Sequence, residues 1–266
     1  MHLLYCDETN LEERKGDFFV YAGIVAEGAR ARELSHRIDK IRSDAKVPPD
    51  YQLKFNPGPA CLDHQQFINL KKSIIEAAAQ AKVGLLVSVI LHDIATSPDV
   101  ARRNAINTLC FHFDCLLNRI PGPGLVLIDR FTDKQIDAHL AEKFSIGVTG
   151  LPHTAQMRLS NVVGFHYSAV GQSHFSSLID VVIGSMRFAI NAFTRGESAK
   201  LETAKRILEG LQPLFYREKD DAPVSELSFF FSPKNVKVAA YREKYLALKK
   251  FLAENGIDTA QAIEQL

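Results

Sequence analysis

Three aspartates stand at positions where a carboxylate could take part in chemistry. Asp7 and Asp129 each follow a short apolar run of the kind that forms a strand, and Asp180 lies inside a largely apolar segment. Residues just past the strand ends of an α/β sheet converge on one edge. A carboxylate inside an apolar helix is costly unless it is paired or bound to a metal ion. We therefore expect Asp7, Asp129 and Asp180 to meet in one cleft.

The chemistry that three such carboxylates favour is the binding of divalent metal. Carboxylates in one cleft repel one another, and a cation relieves the repulsion; Mg²⁺ in particular takes oxygen ligands and keeps some of its water. Two ions about 3.5–4 Å apart can activate water and stabilise the leaving oxygen of a phosphodiester. The sequence thus predicts that Asp7, Asp129 and Asp180 hold divalent metal, for which Mg²⁺ is well suited, and that the protein hydrolyses phosphodiester bonds.

Each aspartate also has an ordinary structural interpretation. Asp7 could cap a turn, and Asp129 could cap the helix that follows it. Asp180 could pair with a buried arginine or lysine. Any one of the three is a weak signal, and only their combination favours a shared cleft.

Glu8 and Lys54 are second-rank candidates for the same site. A strand would point Glu8 away from Asp7, but at a strand end the chain can turn, so that Glu8 either reaches the metal or is exposed to solvent. Lys54 lies in a loop between Leu53 and Phe55, where it either contacts a phosphate or the developing charge, or is simply solvated.

Apolar periodicity predicts the elements that position these residues. The predicted strands are Leu3–Cys6, Phe18–Val25, Gly84–Leu91, Leu125–Ile128 and a last core strand, Val162–Val170. The predicted helices are Ala29–Ala45, Asp63–Lys82, Pro98–Arg119, Asp133–Phe144 and Ser173–Ala192. A polar connection, Glu12–Asp17, joins the first two strands. Alternating strands and helices of this kind indicate an α/β fold.

The chain is expected to divide near residue 195. Residues 1–195 carry the candidate site, and residues 196–266 form a more polar, mainly helical C-terminal extension packed on that domain, interrupted by the run 227–231. The extension contains a basic stretch, consisting of Lys234, Lys237, Arg242, Lys244, Lys249 and Lys250. This stretch is either a face for nucleic acid or a solvated helix.

Composition limits the class of protein. The chain has 266 residues, of which 46% are hydrophobic, so it can bury a full core. A formal net charge of +1 argues against a protein that coats DNA, although it is compatible with a local basic face. The longest apolar stretch, Gly84–Leu91, is far short of the roughly 20 residues that a membrane span needs, so no membrane association is expected.

The cysteines and the N-terminus indicate a cytoplasmic protein. The spacing of Cys6, Cys61, Cys110 and Cys115 matches neither a zinc finger nor a disulfide framework, so reduced thiols are expected. The first residues lack the basic region of a secretory signal and turn acidic at Asp7.

Several short motifs, in order, resemble a family of ribonuclease-H-like proteins catalogued as domain of unknown function thirty-eight-hundred. Members open with a strand ending Asp-Glu-Ser-Gly, for which this chain has Asp7-Glu8-Thr9-Asn10. Asparagine in place of glycine preserves a residue that tolerates left-handed backbone. The aromatic and glycine-containing run Phe18–Val25 is similar to the family's second strand.

The later motifs extend the resemblance to about residue 192. Leu53-Lys54-Phe55 resembles a motif with lysine before an aromatic residue, and residues 127–130 resemble a strand ending in aspartate. The family's late helix reads Gln-Leu-Ala-Asp-Leu-Val-Ala-Gly; residues 177–184 match its aspartate and glycine at Asp180 and Gly184, with serine for the glutamine and isoleucine for the first alanine.

The resemblance implies a ribonuclease-H-like mixed sheet flanked by helices and a nuclease dependent on Mg²⁺ or Mn²⁺. It implies a site made of Asp7, Glu8, Lys54, Asp129 and Asp180, with DNA or RNA as the partner. Family members are similar to proteins of phage and mobile elements, so the resemblance also suggests a role in defence.

Other functions compete with this interpretation. His92-Asp93, with His64 and His112, suggests a metal phosphohydrolase, although such sites are normally built on helices. The sequence has neither the Gly-x-Ser-x-Gly elbow of a serine hydrolase nor a phosphate loop. A catalytically degenerate scaffold that binds nucleic acid or protein remains the non-enzymatic alternative.

Overall fold

A six-stranded mixed sheet flanked by helices forms the centre of the computed structural model, which describes residues 1–10, 14–131, 133, 135–151 and 154–264. The strands are β1 (His2–Thr9), β2 (Phe18–Glu27), β3 (Gly84–Leu91), β4 (Gly124–Asp129), β5 (Val148–Leu151), β6 (Thr154–Met157), β7 (Val162–Ser168) and β8 (Phe229–Ser232). The helices are α1 (Gly28–Asp44), α2 (His64–Gln80), α3 (Pro98–Leu117), α4 (Ile136–Ser145), α5 (His174–Thr194), α6 (Leu201–Leu211) and α7 (Ala239–Glu254).

The sheet order places the two predicted strand-end aspartates side by side. The strands follow the order β7-β4-β1-β2-β3-β8, while β5 and β6 form a separate hairpin. β4 runs parallel to both β1 and β7, and β2 is antiparallel to its neighbours β1 and β3. The carboxyl ends of β1, β4 and β7 therefore share one edge of the sheet, which is where ligands bind in open α/β sheets.

Alternation along β1 separates two hydrophobic layers. Tyr5 packs into the layer that contains α1, α2, α5, α6 and α7, whereas Leu4 and Cys6 pack into the layer that contains α3 and α4. Tyr5 stacks on Phe175 of α5 with ring centroids 5.3 Å apart. Because side chains alternate along a strand, Asp7 faces α5 and Glu8 faces α3.

Helix α5 is the apolar helix that packs along β1. Its first turn is capped by Ser173, whose Oγ accepts a hydrogen bond from the Ser176 N–H at 3.2 Å. By length and composition α5 could also cross a membrane, but 67% of its most apolar window is buried inside the fold. A mostly buried core helix passes the same test, so composition does not separate the two.

The mixed α/β architecture is confirmed, with three differences in its strands. β1 extends past the predicted end at Cys6, because its pairing with β2 continues to Thr9 opposite Val20. The hairpin β5–β6 was not predicted. A strand does form within the predicted range 162–170, but the prediction that it is a core strand is wrong. β7 lies at an edge of the sheet, and Tyr167 is 40% exposed.

The sixth strand comes from the predicted extension. β8 pairs in parallel with β3, with Val87 opposite Phe229 and Val89 opposite Phe231. The run 227–231, predicted only as an interruption between helices, thus completes the sheet, while the division at residue 195 stays a prediction. Within the predicted polar connection between β1 and β2, Glu12 and Glu13 lie outside the described residues.

Candidate functional site

Asp7 and Asp129 are neighbours on one face of the sheet. Tyr5 pairs with Leu127 and Cys6 with Ile128 across the parallel strands β1 and β4. Tyr5 and Leu127 both contact the layer that contains α5. Two residues further on, Asp7 and Asp129 face the same side, on strands about 4.8 Å apart. The sheet register therefore places these two carboxylates beside each other, under α5.

Asp180 is held on α5 by the loop that contains Lys54. The N–H of Phe55 donates a hydrogen bond of 2.6 Å to Asp180 Oδ2. One turn later, a Cβ added at Gly184 would overlap Cβ and Cγ of Phe55. Asp180 and Gly184 thus act together, since the carboxylate binds the backbone of the loop and the glycine leaves room for the aromatic ring.

Lys54 is the exposed residue between two buried anchors, Leu53 and Phe55. Lys71 fixes the same loop, because its Nζ donates a 3.1 Å hydrogen bond to Phe55 O and lies 4.1 Å from the centre of the Phe55 ring. The charge of Lys54 partly offsets the raised pKa of Asp129. Lys54 is therefore near the carboxylates and open to solvent, as a phosphate contact requires.

Glu8 lies on the opposite face of β1, where it meets α3. Its Oε1 is 3.0 Å from Nε of Arg102, and both side chains are largely buried. Arg102 also pairs with Asp99 at 3.0 Å and lies over the Phe131 ring at 4.1 Å. The second oxygen, Glu8 Oε2, is buried and has no hydrogen-bond partner among the described residues. The observed position of Glu8 is that of an ion-pair partner at the rim of the site.

The carboxylates influence one another electrostatically. The pKa of Asp7 is raised to about 8, mainly by burial and then by the charges of Glu8, Asp129 and Asp180, against the opposing effect of the hydrogen bond from the Glu8 N–H. Burial also raises the pKa of Glu8 to about 7, against the opposing effect of Arg102. The pKa of Asp129 is raised by burial as well. Negative charge is therefore disfavoured here in the absence of a cation.

The donor set fits a metal only in part. Within the described ranges, no group of three or more His, Cys, Asp and Glu residues has the arrangement of a metal site. One oxygen of Asp7 accepts the Glu8 N–H at 2.8 Å, and one oxygen of Asp180 accepts the Phe55 N–H. Asp7 and Asp180 each keep one oxygen that these bonds do not use. Such a set suits Mg²⁺, which is commonly bound by one or two carboxylates together with water and substrate phosphates.

A cleft of about 600 Å³ opens beside Asp180. At one end Asn10 and Asn191 join β1 to α5 through reciprocal side-chain hydrogen bonds of 2.9 and 3.1 Å. Asn10 has a φ of 60°, the left-handed backbone that asparagine tolerates. Arg187 and Phe188, further along α5, also line the cleft.

Two arginines of the site region were not predicted. Arg102 gave no local signal, because its partnership with Glu8 depends on how α3 packs. Arg187 did leave a signal: apart from His174, Asp180 and Arg187 are the charged residues of α5, and seven residues apart they share one helix face.

The histidines of the alternative phosphohydrolase do not assemble. His92 Nε2 lies 2.7 Å from Asn10 O, and Asp93 Oδ2 accepts a 2.6 Å hydrogen bond from the Gly16 N–H. Both residues thus stabilise the connection between β1 and β2. His112 is buried against Phe230, and its pKa is lowered by burial to about 4. His64 is exposed at the start of α2.

The basic stretch of the extension is largely occupied by contacts within the chain. Lys249 Nζ donates to Gln261 O at 2.5 Å, and Arg242 donates to Val236 O at 3.4 Å. Lys234 lies 3.8 Å from Glu226. These contacts favour the interpretation of the stretch as a solvated surface of α7 and its flanking loops.

The geometry thus consists of adjacent aspartates on two parallel strands, a third aspartate on the helix above them, and an exposed lysine on the loop bound to that helix. Such an arrangement can hold a cation together with a phosphate. No family model, curated protein or solved structure matches this chain.

Proposed function

We propose that the protein is a nuclease that uses Mg²⁺ or Mn²⁺ to hydrolyse phosphodiester bonds in DNA or RNA, on a ribonuclease-H-like fold. The observation that carries the proposal is the in-register pair Asp7 and Asp129, facing α5 and electrostatically linked to Asp180. The mixed sheet flanked by helices supports the fold assignment. A cytoplasmic location and a role in defence against phage or mobile elements belong to the same proposal.

Each residue has a distinct role in this proposal. Asp7 and Asp129 would bind the cation from the sheet, and Asp180 would bind or orient its water from the helix. When bound, the metal would activate water and neutralise charge on the phosphodiester. Lys54, exposed and near Asp129, would contact a phosphate oxygen. Glu8 would act through its ion pair with Arg102, which fixes the end of β1.

The degenerate scaffold is the second candidate, and two observations favour it. The described residues contain no preformed group of three metal ligands, and Glu8 is committed to an ion pair. A scaffold that binds nucleic acid or protein would keep the cleft and would need no cation.

Calorimetric titration with Mn²⁺ separates the two candidates. The titration is made at pH 8.5, because Asp7 must lose its proton to bind metal and its pKa is about 8. Wild type is compared with Asp7→Asn, Asp129→Asn and Asp180→Asn. The control is Asp220→Asn, which removes an exposed carboxylate from a loop outside the site. A parallel titration contains a single-stranded oligonucleotide with non-cleavable phosphorothioate linkages, which supplies substrate phosphates.

We expect wild type and Asp220→Asn to bind Mn²⁺ and the Asp7 and Asp129 variants to lose at least tenfold in affinity. Hydrolysis of DNA or RNA should require Mn²⁺ or Mg²⁺ and should disappear in the same variants. If wild type binds no Mn²⁺ even with the oligonucleotide present, the nuclease proposal fails and the scaffold is favoured.

A further inference from the structure

Arg187 lines the cleft and has no ion-pair partner among the described residues. Its side chain is half-buried, and no described residue forms a hydrogen bond or an ion pair with its guanidinium. The guanidinium carbon lies 5.8 Å from the centre of the Phe55 ring. The N–H of Phe55 is in turn bound to Asp180. Phe55 therefore contacts Asp180 through its backbone and lies near Arg187 through its ring.

Helix geometry directs Arg187 toward the carboxylates. Seven residues make about two turns, so Asp180 and Arg187 share a face and are separated by about 10 Å along the axis. Because Cα–Cβ bonds in a helix tilt toward its N-terminus, the side chain of Arg187 leans back toward Asp180. A phosphate beside the one that the carboxylates would engage lies within its reach.

Two of the other cations that line the cleft are already neutralised. Arg195 donates a 3.1 Å hydrogen bond to Asp17, and Lys200 pairs with Glu197 at 2.8 Å. Arg187 differs from them in having no carboxylate partner among the described residues. A planar guanidinium with its donors free is well suited to a phosphate, which it can bind through two parallel hydrogen bonds.

The size and the walls of the cleft limit what can enter. A volume of about 600 Å³ is in the range of pockets for small ligands, so a short length of one strand fits better than a duplex. Half-buried Phe188 lines the same wall as Arg187. Aromatic side chains beside cations that bind the backbone are what proteins use to stack the bases of single strands.

We propose that this cleft binds a single strand of nucleic acid, with Arg187 holding the phosphate next to the bond that is cleaved and Phe188 stacking on a base. The assignment of the cleaved bond rests on the nuclease function proposed above. The single-strand preference and the role of Arg187 are new to this inference.

Strand binding is measured without metal, so that it does not depend on catalysis. Fluorescence anisotropy in EDTA follows labelled mixed-sequence single-stranded DNA, single-stranded RNA and duplex DNA between 50 and 200 mM salt. The variants are Arg187→Gln and Arg187→Lys. The matched control is Arg37→Gln, which removes an exposed arginine of α1 outside the cleft. Thermal unfolding of every variant verifies that it is folded.

We expect single strands to bind at least tenfold more tightly than duplex. Arg187→Gln should lose at least tenfold in affinity at 50 mM salt, and its salt slope should fall by about 0.7, the contribution of one phosphate contact on a single strand. Arg187→Lys should keep the slope, and Arg37→Gln should behave as wild type. The inference is overturned if Arg187→Gln matches Arg37→Gln, or if duplex binds as tightly as single strands.

Asp7→Asn distinguishes this inference from the nuclease proposal. In EDTA it should bind strands at least as well as wild type, because the substitution removes no group that would contact the strand and leaves no carboxylate at this position to repel phosphates. If Arg187-dependent strand binding persists in a protein that binds no Mn²⁺, the strand site stands and the nuclease fails. If Mn²⁺ binding is normal and Arg187→Gln changes nothing, the nuclease stands and the strand site fails.

Discussion

Replacing Asp7 by asparagine should stabilise the metal-free protein at neutral and alkaline pH. Burial and neighbouring carboxylates raise the pKa of Asp7 from 3.8 to about 8, so the folded state holds a proton that the unfolded state has released. Stability falls with rising pH wherever the folded state binds more protons than the unfolded state. Asp7 therefore destabilises the metal-free protein progressively between about pH 4 and pH 8, and the loss is complete above that window.

The pKa sets the size of the effect. pH 7 lies about three pH units above the ordinary pKa of 3.8. Each unit corresponds to about 1.36 kcal/mol, so the ionisation of Asp7 destabilises the folded state at pH 7 by at most about 4 kcal/mol. Asparagine is a weaker acceptor than a carboxylate for the Glu8 N–H, which Asp7 Oδ1 accepts at 2.8 Å. We therefore expect a net gain of about 2 kcal/mol in the free energy of unfolding at pH 7.

Urea unfolding at several pH values between 5 and 8.5 measures this gain. In EDTA, the stability of Asp7→Asn relative to wild type should increase with pH, and Asp220→Asn should stay within about 0.5 kcal/mol of wild type. Mn²⁺ at a concentration that saturates wild type should stabilise wild type at pH 8.5 by at least about 1 kcal/mol more than it stabilises Asp7→Asn, which corresponds to a tenfold loss of affinity. If Asp7→Asn is less stable than wild type at pH 8.5 in EDTA, the carboxylate is not under electrostatic strain and the reasoning is refuted.

Two further predictions concern the supports of the site. Gly184→Ala should lower the free energy of unfolding in urea by about 1–3 kcal/mol, because the new methyl group overlaps Phe55. The control Gly210→Ala on α6, where nothing lies within 4 Å, should raise it by about 0.5–1 kcal/mol. Equal effects of the two substitutions would exclude the close packing of Phe55 on α5. Arg102→Met should lower the free energy of unfolding by about 3–5 kcal/mol, because it leaves Glu8 buried without its partner. Adding Glu8→Gln to this variant should recover most of the loss. If Arg102→Met alone is as stable as wild type, the ion pair is contradicted.

The sequence was sufficient to place the aspartates but not to describe their surroundings. Asp7 and Asp129 could be placed because the position of a residue at the end of a buried strand depends on local periodicity and on parallel pairing alone. The position of Asp180 within an apolar helix is likewise a local signal. The bond from Phe55 to Asp180 joins residues far apart in the sequence, and no pattern within either segment could indicate it.

The elements that the sequence did not indicate depend on tertiary packing. The run 227–231 has the aromatic composition of a strand. Composition does not indicate which strand of the sheet it pairs with, and its pairing with β3 depends on tertiary packing. The exposure of β7 has a similar origin. An apolar run predicts a core strand, whereas β7 lies at an edge of the described sheet.

β8 comes from the C-terminal part of the sequence but pairs with the central sheet, and this affects the design of shorter fragments of the chain. Val87 N–H donates to Ser228 O at 2.8 Å, and the four-residue ladder with β8 continues from there along β3. A fragment that stops at residue 195 would keep the three aspartates but would leave one side of a largely apolar strand unpaired. Open edges of that kind recruit further copies and form aggregates. Soluble fragments for biochemistry should therefore retain residues 228–232, and a reporter fused at residue 195 would report insolubility rather than the state of the site.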